Sequence, residues 1–205
     1  MVSEPLRAFV DDLAGAQIGE TFNFYAHAIA TLDVDDACDR RRANLLAHLS
    51  ARLDRCRFML VGEAPGFNGA RFSGVAFTSE RSLAPEHRSS RRPDGFKEPS
   101  ATILGGQLEA LGIDEVTVRW NSVPFHPHEL DAPLTNRKPT ELERREGLVF
   151  LQRLVEIMRP EQIIAVGRVA ERSLPGSVCV RHPARGGATQ FRQQMADLVH
   201  GAPPA

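Results

Sequence analysis

Phe58-Met59-Leu60-Val61 is an unbroken apolar run that stops at Gly62. It is too short for a helix and shows no polar alternation, so it reads as a strand covered on both faces, the condition inside a parallel sheet. Three more strand patterns follow: Val116–Trp120 ending in Asn121, Ile163–Val166 ending in Gly167, and Ser177–Val180. Helical patterns separate them. One runs from about Pro99 to Leu111 and stops at Gly112. A second opens at Thr140, with Glu143 completing a capping box, and ends near Met158 before Pro160. A short one spans Arg168 to Leu174, and a last one runs from about Ala188 to Val199. This alternation predicts an α/β single domain, a central parallel four-stranded sheet with helices on both faces. An N-terminal segment over 1–55 precedes the α/β core of 56–200. It carries helical patterns at 4–15 and from Asp36 to Leu53 around the aromatic loop Thr21-Phe22-Asn23-Phe24-Tyr25, and a frayed tail is expected over 201–205.

A chain of 205 residues suits one domain with a proper core. Its 42% apolar and 25% charged residues are ordinary for a globular protein. Met1-Val2-Ser3-Glu4-Pro5 has no basic leader pattern and no run approaches a membrane span, so a cytoplasmic protein with no membrane partner is expected. Cys38, Cys56 and Cys179 are widely spaced, which points away from disulfides and metal knuckles; no metal or cofactor is expected. A net charge of −1 argues against coating nucleic acid indiscriminately, since that binding feeds on many phosphate contacts. The cations do cluster, with Arg81, Arg88, Arg91, Arg92 and Lys97 in one stretch and Arg181, Arg185 and Arg192 in another. Taken alone, such clusters read as solvated loops. Residues 66–98, rich in Gly, Ser, Arg and Pro, read as one long loop with room for a short helix.

In open parallel sheets the site forms outside the carboxyl ends of the strands. Glu63, Asn121 and His182 all stand there, each just past a different strand. Each has a plain alternative. Gly62-Glu63-Ala64-Pro65-Gly66 reads as a structural turn or a phosphate loop, although it lacks the Gly-Lys-Ser/Thr ending of the latter. Asn121 suits a turn cap, and His182 before Pro183 suits a packed histidine.

Together these motifs resemble the uracil-DNA glycosylase superfamily, from about residue 21 to the last helix. Gly62-Glu63-Ala64-Pro65-Gly66 followed by Ser73-Gly74-Val75-Ala76-Phe77 looks like the first motif of its bacterial and archaeal branch. Thr135-Asn136-Arg137-Lys138-Pro139-Thr140 looks like that branch's Asn-Arg-x-Pro segment, and His182-Pro183 like the second, His-Pro motif. The resemblance implies a uracil-DNA glycosylase-like α/β/α sandwich and a DNA repair enzyme that flips uracil from the stack and hydrolyses its N-glycosidic bond. The implied partners are uracil-containing DNA, the abasic-site DNA product and free uracil. A monomer is expected. Gly62, Ala64, Pro65 and Gly66 then shape the base pocket, Phe77 stacks on the base and Asn121 reads its N3–H and O4. His182 faces O2, where negative charge develops. Arg88, Arg91, Arg92, Arg181, Arg185, Gly186 and Gly187 become contacts to the strand.

The sequence departs from the pattern in three places. The best-known branch has a water-activating aspartate where Ala64 stands and a thymine-excluding tyrosine where Gly66 stands. That leaves Glu63 as the nearest carboxylate for the water or, alternatively, as a brace for the loop backbone, and it leaves thymine exclusion to Phe67 or Phe77. The branch with the closest first motif holds an iron-sulfur cluster on four cysteines, which three scattered cysteines do not supply. The leucine wedge that many members carry after the His-Pro motif is replaced by Ala184-Arg185-Gly186-Gly187, with Arg185 as the residue to plug the stack or grip phosphate. Ala64 also keeps a second class open, a weakly catalytic module that binds uracil or abasic-site DNA.

Overall fold

In the computed structural model, which describes residues 3–201, the apolar runs become β1 (Phe58–Gly62), β2 (Thr117–Asn121), β3 (Gln162–Val166) and β4 (Val178–Val180). They form one parallel sheet in the order β2-β1-β3-β4. Alternate side chains of β1 serve opposite faces, as the pleat requires. Met59 and Val61 join Val118 and Trp120 beneath α1 (Glu4–Gly15), α2 (Ala37–Ser50) and α5 (Glu141–Met158). Phe58 and Leu60 join Ile164, Val166 and Val180 beneath α4 (Pro99–Ala110) and α7 (Ala188–His200). The expected α/β sandwich is therefore present, with a core on each side of the sheet.

The capping box forms as the sequence predicts: the Glu143 N–H donates to Thr140 Oγ1 at 3.2 Å, and Glu143 Oε2 accepts from the Thr140 N–H at 2.8 Å. Two helices end earlier than their apolar periodicity implies. α2 stops at Ser50, and α6 spans only Arg168–Glu171. In both, the chain beyond tightens to three-residue turns, Leu53 N–H to Ser50 O and Leu174 N–H to Glu171 O. Gly201 closes α7 in a left-handed conformation, and the rest of the expected frayed tail lies outside the described residues. Among the described residues no helix is long and apolar enough to cross a membrane.

The segment 66–98 is better built than its composition suggests. It holds a helical turn, α3 (Ala70–Ser73), and two 3-10 turns at 80–82 and 85–87. Its anchors are buried charges. Glu80, fully buried, accepts the N–H groups of Ser89 and Ser90 at 2.7 Å each and of Phe96 at 2.9 Å. Arg71 grips Asp33 through both terminal nitrogens, and Arg41 pairs with the same carboxylate. Such a network is costly to break, because removing one partner leaves the others charged and dry. The aromatic loop is fastened in the same way: Tyr25 donates to Gly74 O at 2.7 Å, and Phe22 and His126 form an antiparallel bridge.

Candidate active site

Gly62 and Asn121 are register partners at the ends of β1 and β2, on the sheet face that also carries Leu60. A Cβ at Gly62 would lie 2.5 Å from Asn121 Oδ1 and 2.6 Å from Phe77 Cζ. Glycine is thus required here by close approach, and the space it vacates is where an amide and an aromatic ring converge. Phe77 is buried and holds a φ of 50°, a conformation that bulky residues rarely adopt and that surrounding structure must enforce. Its ring centroid is 6.1 Å from that of His182. Four of the predicted residues, Gly62, Phe77, Asn121 and His182, therefore meet at one place on the carboxyl edge.

The first turn is bolted down by its neighbours. Ser122 Oγ donates to the carbonyls of Gly62 and Glu63 at 3.0 and 2.9 Å, and the N–H of Val123 donates to Glu63 O at 2.9 Å. Because Ser122 does this bonding, the buried Asn121 amide stays uncommitted to the turn. Pro65 O accepts from His126 Nδ1 at 2.9 Å, and the Phe67 N–H donates to Asn136 Oδ1 at 2.9 Å. A carbonyl only accepts, so the His126 proton sits on Nδ1 and the ring is neutral; burial pushes its pKa down to about 4. In sequence His126 stands out only as part of a Pro- and His-rich stretch. Its role is to join the aromatic loop to the pocket turn, a contact between distant segments that no local pattern encodes.

Glu63 is half-buried. Burial raises the pKa of its carboxyl, and the cations Arg144, Lys138 and Arg172 pull it partly back. Its Oε1 is buried without a hydrogen-bond partner, so the side chain does not brace the loop backbone through that atom. Those three cations come from α5, the residues ahead of its cap and the turn after α6. None belongs to either cation cluster, and of the three only Lys138 lies in a segment the sequence singles out, as the variable position of Asn136-Arg137-Lys138-Pro139. Ala64 packs against the core, while a Cβ at Gly66 would sit in ordinary contact with Asn68 Oδ1 at 3.6 Å and Asn136 Oδ1 at 3.7 Å, so two amides border the position where the tyrosine is missing.

His182 is set by the turn that follows β4. The Ala184 N–H donates to His182 Nδ1 at 3.1 Å, and burial, reinforced by Arg181 and Arg185, lowers the ring's pKa. The imidazole is neutral with its proton on Nε2. Gly167, at φ 93°, gives it room, since a Cβ there would stand 3.1 Å from His182 Cβ. Arg185 is exposed at a φ of 53°, beside exposed Gly186, whose missing side chain would meet nothing.

Three predicted strand contacts have partners within the fold. Gly187 is buried, and a Cβ there would lie 2.1 Å from His182 O, so its smallness serves the turn rather than a strand. Arg88 spends its guanidinium on the carbonyls of Leu83, Pro93 and Arg81. Arg91 spends its own on Ala30 O and Asp35. Arg88 satisfies carbonyls of the 66–98 segment that lack a sheet or helix partner, and Arg91 ties that segment to the loop carrying Ala30 and Asp35. Arg92 stacks over Phe96, and Arg181 stays exposed beside the His-Pro turn. The thiols lie on α2, ahead of β1 and within β4, each with its pKa raised by burial, an arrangement that does not fit a cluster needing four thiolates.

A family model described as "Uracil DNA glycosylase superfamily" matches residues 52–203. No curated protein matches the sequence. Among solved structures, SMUG2 of Pedobacter heparinus is similar with a TM-score of 0.64, over 94% of this chain and 97% of that one, at 12% identity. That identity speaks for the fold alone.

Proposed function

This chain belongs to the uracil DNA glycosylase superfamily, and we propose that it hydrolyses the N-glycosidic bond of uracil in DNA, releasing free uracil and leaving an abasic site. The observation that carries the reading is the convergence of Phe77, Asn121 and His182 around the bare Cα of Gly62. A uracil extruded from the stack lies against Phe77, and the uncommitted amide of Asn121 accepts from N3–H and donates to O4. Its O2 takes the proton-bearing Nε2 of His182. As the bond to the sugar breaks, charge builds on that oxygen, and a neutral donor already in place stabilises it without reorganisation.

Glu63 takes the water. Its carboxylate has an orphaned oxygen and a raised pKa, both suited to a base operating near neutral pH. Lys138, Arg144 and Arg172, with Arg92, Arg181 and Arg185, supply the positive field for the strand, and Arg185 at its exposed left-handed turn fills the gap in the stack. With glycine rather than tyrosine at position 66, exclusion of thymine falls to Phe67 or Phe77.

The test is incubation with a uracil-containing oligonucleotide followed by alkaline cleavage at abasic sites. Strand cleavage supports the reading. Binding without cleavage would instead favour a recognition module, to which the absence of a carboxylate at position 64 points.

A further inference from the structure

Beside the base pocket, between the segment after Phe77 and the body of α4, lies a cleft of about 340 Å³. Its wall includes Arg81, Lys97 and Arg119, its floor Thr102, Gly105 and Gly106, and no carboxylate lines it. Phe77 borders both the cleft and the base pocket. None of the strand contacts named in the proposed function lines it.

Two features mark this cleft as more than a surface groove. The first is the glycine pair in the interior of a twelve-residue helix. Each is destabilising relative to alanine in a helix interior, a cost usually explained by another segment packing closely on the helix. Here a Cβ at either position would find nothing within 4 Å. The fold does not need their smallness; the cleft does. The second is Arg119. Its side chain pairs with Asp114 and reaches Thr78 Oγ1 at 3.3 Å, yet its Nε is buried with no partner. A guanidinium N–H left unpaired in the fold is costly, so the Arg119 head group stands at the cleft wall with part of its donor capacity unused by the chain. Lys97 makes no salt bridge among the described residues, and the one side-chain hydrogen bond of Arg81 goes to the carbonyl of Asp94.

We propose that this cleft binds a phosphate-bearing group of nucleotide size. The Arg81 guanidinium and the Lys97 ammonium, neither held by a carboxylate among the described residues, select an anion rich in acceptors, and the volume falls in the range of small-ligand sites, roughly 300–1,000 Å³. Two sources share that chemistry: a phosphate of the DNA strand beyond the extruded nucleotide, or a free mononucleotide.

The experiment uses the full chain, two variants and no excision step, so its outcome is separate from that of the glycosylase reading. Gly106→Leu fills the cleft from an exposed helix position, and Lys97→Glu reverses one wall; melting curves establish that both fold. Binding of a uracil-free single-stranded oligonucleotide is followed across salt concentrations, and binding of deoxyadenosine 5′-monophosphate by calorimetry. If the strand is the source, both variants weaken the oligonucleotide and the salt slope falls by about 0.7 for each phosphate no longer neutralised. If a free nucleotide is the source, the wild type binds the monophosphate, both variants abolish that binding, and the salt slope is unchanged. Wild-type values in both variants for both ligands, or a wild type that binds neither, would overturn the proposal.

Discussion

The Ala184 N–H stands 3.1 Å from Nδ1 of His182, and this contact assigns the histidine's proton to Nε2. A ring held in that tautomer, with its pKa lowered by burial, is a neutral donor throughout the neutral range. Removing one preset donor to a developing oxyanion costs roughly 10²–10³ in rate. His182→Ala should therefore lower single-turnover uracil release by about that factor, with oligonucleotide affinity nearly unchanged. Near-normal release would mean that the donor is misassigned.

Gly62→Ala tests the convergence directly. The added methyl meets Asn121 Oδ1 and Phe77 Cζ at 2.5 and 2.6 Å, and both must shift. Displacement of positioning groups by about 1 Å costs on the order of 10²-fold, so uracil release should fall by that order while the circular dichroism spectrum stays native. A variant as active as the wild type would show that the base lies elsewhere.

Glu63 predicts an acid limb in the pH profile. The carboxylate form is the active one, and burial raises its pKa, so the rate should fall as pH drops through a value above the ordinary glutamate range. Glu63→Gln should remove that limb and lower the rate by about 10²–10⁴ with binding intact. A limb that persists in the variant belongs to another group.

His126 gives a stability prediction with a definite sign. The unfolded ring takes up a proton near the ordinary histidine value of 6.5, whereas the folded one resists until about 4. The unfolded state binds more protons in that window, so stability is lost as pH falls through it, by at most about 3 kcal/mol for this group. His48 and His182 shift in the same direction, so the measurement is the difference in denaturation midpoints between wild type and His126→Asn at pH 6.5 and 4.5. Equal slopes in the two proteins would show that His126 titrates freely. The lowered carboxyls of Asp33 and Glu143 withdraw their stabilisation only at lower pH.

Strands, helix order and the sheet edge that carries the site were legible in sequence because each rests on local periodicity and a nearby stop residue. The run 58–61, the capping box at Thr140 and Glu143, and Gly112 after α4 need no distant partner to be read. The residues Gly62, Asn121 and His182 could be placed on one edge for the same reason. Their meeting with Phe77 could not, since it depends on a buried 66–98 segment whose anchors, Asp33 and Glu80, bond across the fold.

By itself the sequence determined that a parallel sheet would present a glycine turn, an amide and an imidazole at its carboxyl edge, because strand period and chain direction suffice for that. The tertiary structure decided how each group is committed. It assigned the proton on His182, tied Arg88 and Arg91 to backbone carbonyls and buried Gly187 in its turn, brought Lys138, Arg144 and Arg172 around Glu63, and opened a cationic cleft along α4. A hydrogen bond or a depressed pKa is a property of neighbours in space, and residues far apart in sequence become neighbours only when the chain folds.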